Sequence, residues 1–125
     1  RIADLLEETG VRLDAVVGST SDPAEAIDPA AIAHPPRLIV RTESVRGGRY
    51  ETDDGRSGTY EAAAPPGPVV DTYGAGDSFA AGLTFALGAR MDTGSALALA
   101  ARCGAWCAAG RGPYGNQLSA PDLER

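Results

Sequence analysis

In this chain of 125 residues the types and spacing with the clearest chemical promise are Gly74, Ala75, Gly76 and Asp77. They follow the extended apolar run at Val69 and Val70 and open a stretch of small and apolar residues, so they stand where a tight turn leads into a helix. Two glycines and an alanine let backbone N–H groups come close to a ligand. The helix that follows directs its unpaired N-terminal donors and the positive end of its dipole to the same place, which suits phosphate or a developing negative charge. Asp77 falls in the first turn, where a carboxylate can take the proton of an alcohol held beside it during phosphoryl transfer. Capping and dipole preferences by themselves also favour an aspartate there, and glycine-rich turns join strands to helices in many folds. A lone Gly-Ala-Gly would therefore not decide between the two readings.

The elements that must hold this turn are read from periodicity and punctuation. Ile2, Leu5 and Leu6 predict a helix over residues 1–9 with Gly10 as its stop. Leu13 to Val17 reads as a short buried strand, and the polar run Gly18 to Pro23 ends in residues that can cap a short helix through Ile27. One helical turn is expected at Ala30 to Ala33. Arg37 to Arg41 is a second strand, with the continuous apolar centre of a strand covered on both faces. Arg49 to Glu51 and Thr59 to Ala62, separated by Asp53-Asp54-Gly55, form a β-hairpin. A buried helix is expected over 76–88, and Asp92 or Thr93 caps another that runs to about Ala109. Gly110 to Gly115 is a loop by composition.

Composition narrows the function. A net charge of −6 with scattered basic residues argues against nucleic acid or an anionic membrane as the main partner. No apolar run approaches bilayer length and no signal pattern opens the chain, so a cytoplasmic setting is the expectation. Cys103 and Cys107 lie four apart in the second long helix and fit neither a zinc pattern nor a redox Cys-x-x-Cys; they read as small buried residues on one helix face. His34, the sole histidine, precedes Pro35-Pro36 and reads as a loop residue. The chain also lacks the Walker pattern, and it has no dinucleotide-binding Gly-x-Gly-x-x-Gly following a strand.

The string Asp-Thr-Tyr-Gly-Ala-Gly-Asp-Ser-Phe-Ala-Ala-Gly, from Asp71 to Gly82, resembles the signature of the ribokinase/PfkB family of carbohydrate kinases, and a match of this length outweighs the capping explanation. The resemblance implies an α/β fold, the ribokinase-like three-layer α/β/α sandwich, with residues 1–125 as its C-terminal, nucleotide-binding portion and the N-terminal substrate and lid half absent. It implies an ATP-dependent phosphotransferase acting on an alcohol of a sugar or sugar-like molecule, with Asp77 as base and the N–H groups of Gly74, Ala75 and Gly76 as anion hole. Thr42, Ser44 and Gly47 fall where that family contacts the nucleotide. Asp71 and the Tyr73 carbonyl, with carbonyls around Gly110 and Gly112, fall where some members bind potassium.

Two departures stand out. The family's Asn-x-x-Glu, linked to magnesium and phosphate, reads Ser19-Thr20-Ser21-Asp22 here, with Asp22 in place of the glutamate. Ser44 stands where the nucleotide loop has a glycine. ATP and magnesium are the implied cofactors, with potassium as in some members, and a homodimer is an assembly the resemblance admits. A non-catalytic nucleotide- or anion-binding module is the alternative from another class, and a nucleoside kinase the alternative within the enzymes. This fragment alone is expected to be inactive.

Overall fold

The computed structural model describes residues 2–124, and Arg1 and Arg125 lie outside them. The chain divides after Thr59 into two compact units, each with its own packing.

The first unit opens with helix α1 (Ile2–Thr9), which buries Leu6 and ends at Gly10, whose N–H bonds the Leu6 carbonyl at 3.0 Å. Strand β1 (Ala15–Ser19) runs parallel to β2 (Leu38–Thr42), with Ala15 opposite Leu38 and Ser19 opposite Thr42. Strand β3 (Gly48–Thr52) lies antiparallel on the other side of β2, and β4 (Ser57–Tyr60) completes the sheet in the order β1-β2-β3-β4. Leu38, Ile39 and Val40 are all buried, as expected of a strand covered on both faces.

Strand β1 begins and ends two residues later than its hydrophobicity predicts. The ladder to β2 sets its limits, drawing in Gly18 and Ser19 and leaving Leu13 outside. Gly18 is needed there: a Cβ would stand 2.4 Å from the Glu25 carbonyl oxygen. The predicted short helices are single 3-10 turns, Pro23–Glu25 and Pro29–Ala31, capped by Asp22 and Asp28. In each, an aspartate bonds a backbone N–H two residues on, and proline follows it at the first helical position.

The second unit is built on helices α2 (Ala75–Gly88) and α3 (Thr93–Ala108). Phe79, Leu83 and Ala86 of α2 and Ala96, Leu97, Ala100 and Cys107 of α3 form its core. Small residues set the spacing of the pair: a Cβ on Gly82 would meet the Cys103 sulfur at 2.7 Å and the Ala100 Cα at 3.2 Å. Tilted ring contact between Tyr60 and Phe79, 5.6 Å between centroids, adds to this core. The expectation of a buried helix holds for one face of α2 and is corrected for the other, where Phe85 is 62% exposed. Asp92 caps α3, its Oδ1 accepting from the Ser95 N–H at 2.9 Å and its Oδ2 from the Ser95 hydroxyl at 2.8 Å. The tail, featureless in sequence, forms a 3-10 turn at Ala120–Glu124 whose Asp122 carbonyl accepts from Arg102, a guanidinium that also lies 5.2 Å from the centre of the Trp106 ring.

Candidate functional site

In the second unit, Val69 and Val70 form no strand. Their side chains are more than half exposed, and the N–H groups of Val70 and Asp71 both bond the Ala108 carbonyl at the end of α3, at 2.9 and 3.1 Å. This pins the approach to the turn. Gly74 is the N-cap of α2 in the left-handed region, φ +84°, and glycine is required there twice over: a Cβ would stand 2.5 Å from the Pro113 Cβ, and the backbone conformation disfavours any other residue.

No side chain caps α2. The Ala75 N–H turns back on the Thr72 carbonyl at 3.1 Å, and the Ser78 N–H bonds the Gly74 carbonyl at 2.9 Å. Among the described residues the N–H groups of Gly74, Gly76 and Asp77 have no protein acceptor, and a Cβ on Gly76 would meet nothing within 4 Å. The sequence nominates Ala75 as a donor. The structure commits that N–H to the turn and leaves the Asp77 N–H, which sequence reasoning missed, free in its place. The Asp77 side chain is exposed in the same first turn. Three free donors at the positive end of a 14-residue helix, open space over Gly76 and an exposed carboxylate fit an anion beside a proton acceptor.

Asp71 braces this turn from below. Its Oδ1 accepts from the Tyr73 N–H at 3.0 Å and its Oδ2 from the Gly112 N–H at 2.9 Å, tying the turn to the late glycine loop. The Tyr73 N–H, then that of Gly112, and more distantly the Arg111 charge hold the Asp71 carboxyl below the usual carboxylate range. Gly110 packs its Cα against Asn116, whose side chain donates to the Trp106 carbonyl at 2.9 Å. The structure thus brings Asp71, Tyr73 and Gly112 together and sets Gly110 where α3 gives way to that loop. Among the described residues no three His, Cys, Asp or Glu side chains gather as a metal-binding cluster.

In the first unit, Thr42 ends β2. Its carbonyl accepts from the Thr20 N–H and hydroxyl at 3.0 and 3.1 Å, joining the loops that leave β1 and β2. Ser44 holds φ +57°, a left-handed backbone where glycine would be relaxed, and Gly47 follows at φ +81°. Thr20, Ser21, Thr42, Glu43, Ser44 and Arg46 line a shallow cavity of about 210 Å³. That volume accommodates a phosphate-sized group and falls short of the several hundred Å³ of a whole drug-sized ligand. Asp22 lies on a neighbouring cavity of about 230 Å³, where its carboxylate is occupied in capping Ala24. Glu25, which the sequence does not single out, reaches back to the Ser19 N–H at 2.7 Å and is the acidic group that braces this loop.

Among known proteins, the chain is 47% identical over 53 residues to acarbose 7(IV)-phosphotransferase of Actinoplanes sp., a match that takes in 39% of this chain and 17% of that protein. Its fold resembles that of a Burkholderia thailandensis nucleoside kinase solved with inosine, with a TM-score of 0.74 and 21% identity, over 88% of this chain and 37% of the other. It likewise resembles a putative ribokinase II from E. coli solved with ATP and magnesium, with a TM-score of 0.71 and 23% identity, over 89% and 38%. The chain thus spans under two-fifths of the length of these relatives, and the structural likeness establishes a ribokinase-like α/β fold. The family model for pfkB family carbohydrate kinases matches residues 2–120, and with that match the chain belongs to the pfkB family of carbohydrate kinases.

Proposed function

We propose that this chain is the C-terminal, nucleotide-binding part of an ATP-dependent phosphotransferase that phosphorylates an alcohol of a sugar or sugar-like molecule. The observation that carries the reading is the uncapped start of α2, where free N–H groups at Gly74 and Gly76 stand in one turn with the exposed carboxylate of Asp77. Asp77 takes the acceptor's hydroxyl proton as that oxygen forms its bond to the γ-phosphorus. The bond from that phosphorus to the β–γ bridging oxygen breaks, and ADP leaves. The free N–H groups of Gly74, Gly76 and Asp77 bind the phosphoryl oxygens, whose negative charge they stabilise at fixed positions with no reorganisation.

In the first unit, Thr42, Ser44 and Gly47 are assigned to nucleotide contact, with Asp22 linked to magnesium. Bound magnesium would neutralise charge on the nucleotide phosphates. Asp71, the Tyr73 carbonyl and the loop carrying Gly110 and Gly112 are the assigned surroundings of a monovalent cation, a role for which the Asp71 carboxylate is already ionised and held in place. The relatives act on or were solved with acarbose, inosine and ATP, which supports a polyhydroxylated acceptor, with a nucleoside as one member of that class.

A non-catalytic nucleotide-binding module is favoured by one feature, the non-glycine Ser44 strained at φ +57°. Asp77→Asn separates the readings. In the complete protein this variant should keep magnesium-ATP binding and lose most turnover, on the order of 10²–10⁴-fold as for removal of a general base. Turnover near the wild-type rate would remove Asp77 from the role of base, and a complete wild-type protein that binds the nucleotide without turning over any polyol would support the module.

A further inference from the structure

Cys107 is wholly buried on the last turn of α3, and no step above uses it. Its sulfur lies 3.8 Å from the Tyr73 carbonyl oxygen and 3.6 Å from that of Pro113, within reach of a thiol donor. The two acceptors are not equally dependent on it. Pro113 also accepts from the Gln117 side-chain amide, whereas the thiol is the one donor the Tyr73 oxygen has among the described residues. Tyr73 is joined to Gly74 by a planar trans peptide, in which the carbonyl and the following N–H point in opposite directions. Holding the Tyr73 oxygen toward Cys107 therefore aims the Gly74 N–H away from the core. Gly74 is a glycine at φ +84°, free of the Cβ that would otherwise restrict this peptide to one face, so the unit can rotate unless its oxygen is held.

We propose that Cys107 is a positioning residue, whose thiol fixes the Tyr73–Gly74 peptide and thereby aims one N–H of the anion-binding turn. The inference rests on the reading of that turn as the phosphoryl cradle, yet its first consequence can be read with no ligand present. Cys107→Ala removes the donor. Cys107→Ser has nearly the size of alanine and restores a hydroxyl donor, so the two variants separate hydrogen bonding from volume. In the chain labelled with ¹⁵N-glycine, the Gly74 amide resonance should shift or broaden in Cys107→Ala and return toward its wild-type position in Cys107→Ser, while Gly94 and Gly55 stay unmoved in both. Titration with magnesium-ATP should then show affinity weakened about threefold in the alanine variant, the share of a weak hydrogen bond, and recovered by serine.

A Gly74 resonance that ignores Cys107→Ala, or that moves equally in both variants, overturns the proposal. Should the alanine variant lose its folded spectrum, Cys107→Val fills the space without a donor and carries the same comparison. Failure of the wild-type Gly74 and Gly76 resonances to respond to magnesium-ATP, with Gly74 still responsive to Cys107→Ala, would instead refute the phosphoryl cradle and leave the role of Cys107 standing.

Discussion

Gly76→Ala should make the chain more stable and less able to bind nucleotide. Gly76 is the second residue of α2, its φ is not in the left-handed region, and a Cβ there meets nothing within 4 Å. Replacing glycine by alanine at a compatible helical position restricts the unfolded chain, a gain of about 0.5 kcal/mol near a helix end. For a chain of this size that gain is about 2 °C in Tm. The same methyl group, however, enters the open space that the proposed function gives to the phosphoryl oxygens. An overlap costing about 1.4 kcal/mol, within the range for small-to-large substitutions, weakens binding tenfold.

Gly94→Ala is the matched control, since Gly94 is likewise the second residue of α3 and its added Cβ would sit an ordinary 3.4 Å from Asp92 Oδ1. Urea and thermal unfolding should show both variants stabilised alike, while calorimetry with magnesium-ATP should show the affinity lost in Gly76→Ala alone. Wild-type affinity in a stabilised Gly76→Ala would refute the argument, because the space over Gly76 would then not hold the anion.

Two further outcomes follow from the backbone and the brace. Ser44→Gly relieves a left-handed serine worth about 1–2 kcal/mol, set against a glycine entropy cost of about 0.5–1 kcal/mol, so the urea midpoint should rise slightly and never fall. Asp71→Asn should lower Tm relative to wild type at neutral pH, and the gap should close in acid. The folded pKa of Asp71 is depressed, so its contribution is fully present above the unfolded value of about 3.9 and is lost as pH falls through the folded value. A gap between the two proteins that persists unchanged down to pH 2 would mean that the asparagine acts through something other than the lost carboxylate.

The parts of the fold that sequence reveals are those fixed by chemistry a few residues long. Asp92 caps α3 because its side chain reaches Ser95, three positions on, and Asp22 and Asp28 start their turns across two. The glycine stop at Gly10 and the hairpin at Asp53-Asp54-Gly55 are of the same kind, with Gly10 and Gly55 at positive φ. Strand limits are less legible, because a partner sets them. Leu13 is more apolar than Ser19, yet Ser19 joins the ladder since Thr42 stands opposite it. Nor could the apolar pair Val69 and Val70 reveal that the N–H groups of Val70 and Asp71 would go to a helix end rather than to a neighbouring strand.

The candidate site divides along the same line. The string around Gly74 states which peptide units can turn and where a helix must begin, and these are properties of the glycines themselves. What aims those units lies far along the chain: Gly112 bonds the Asp71 carboxylate across 41 positions, and Cys107 reaches the Tyr73 oxygen across 34. In sequence Cys107 is one small residue among the alanines of α3, and its reading as a buried small side chain is correct for its volume. Its hydrogen is the part that periodicity does not register. A signature motif of this type therefore identifies the atoms that would meet a phosphate, while the rigidity that makes them effective depends on side chains outside it. The residues worth altering to tune such a cradle without touching its donors are accordingly those behind it, Cys107 and Asp71, and substitutions there should change how well the turn is held before they change what it holds.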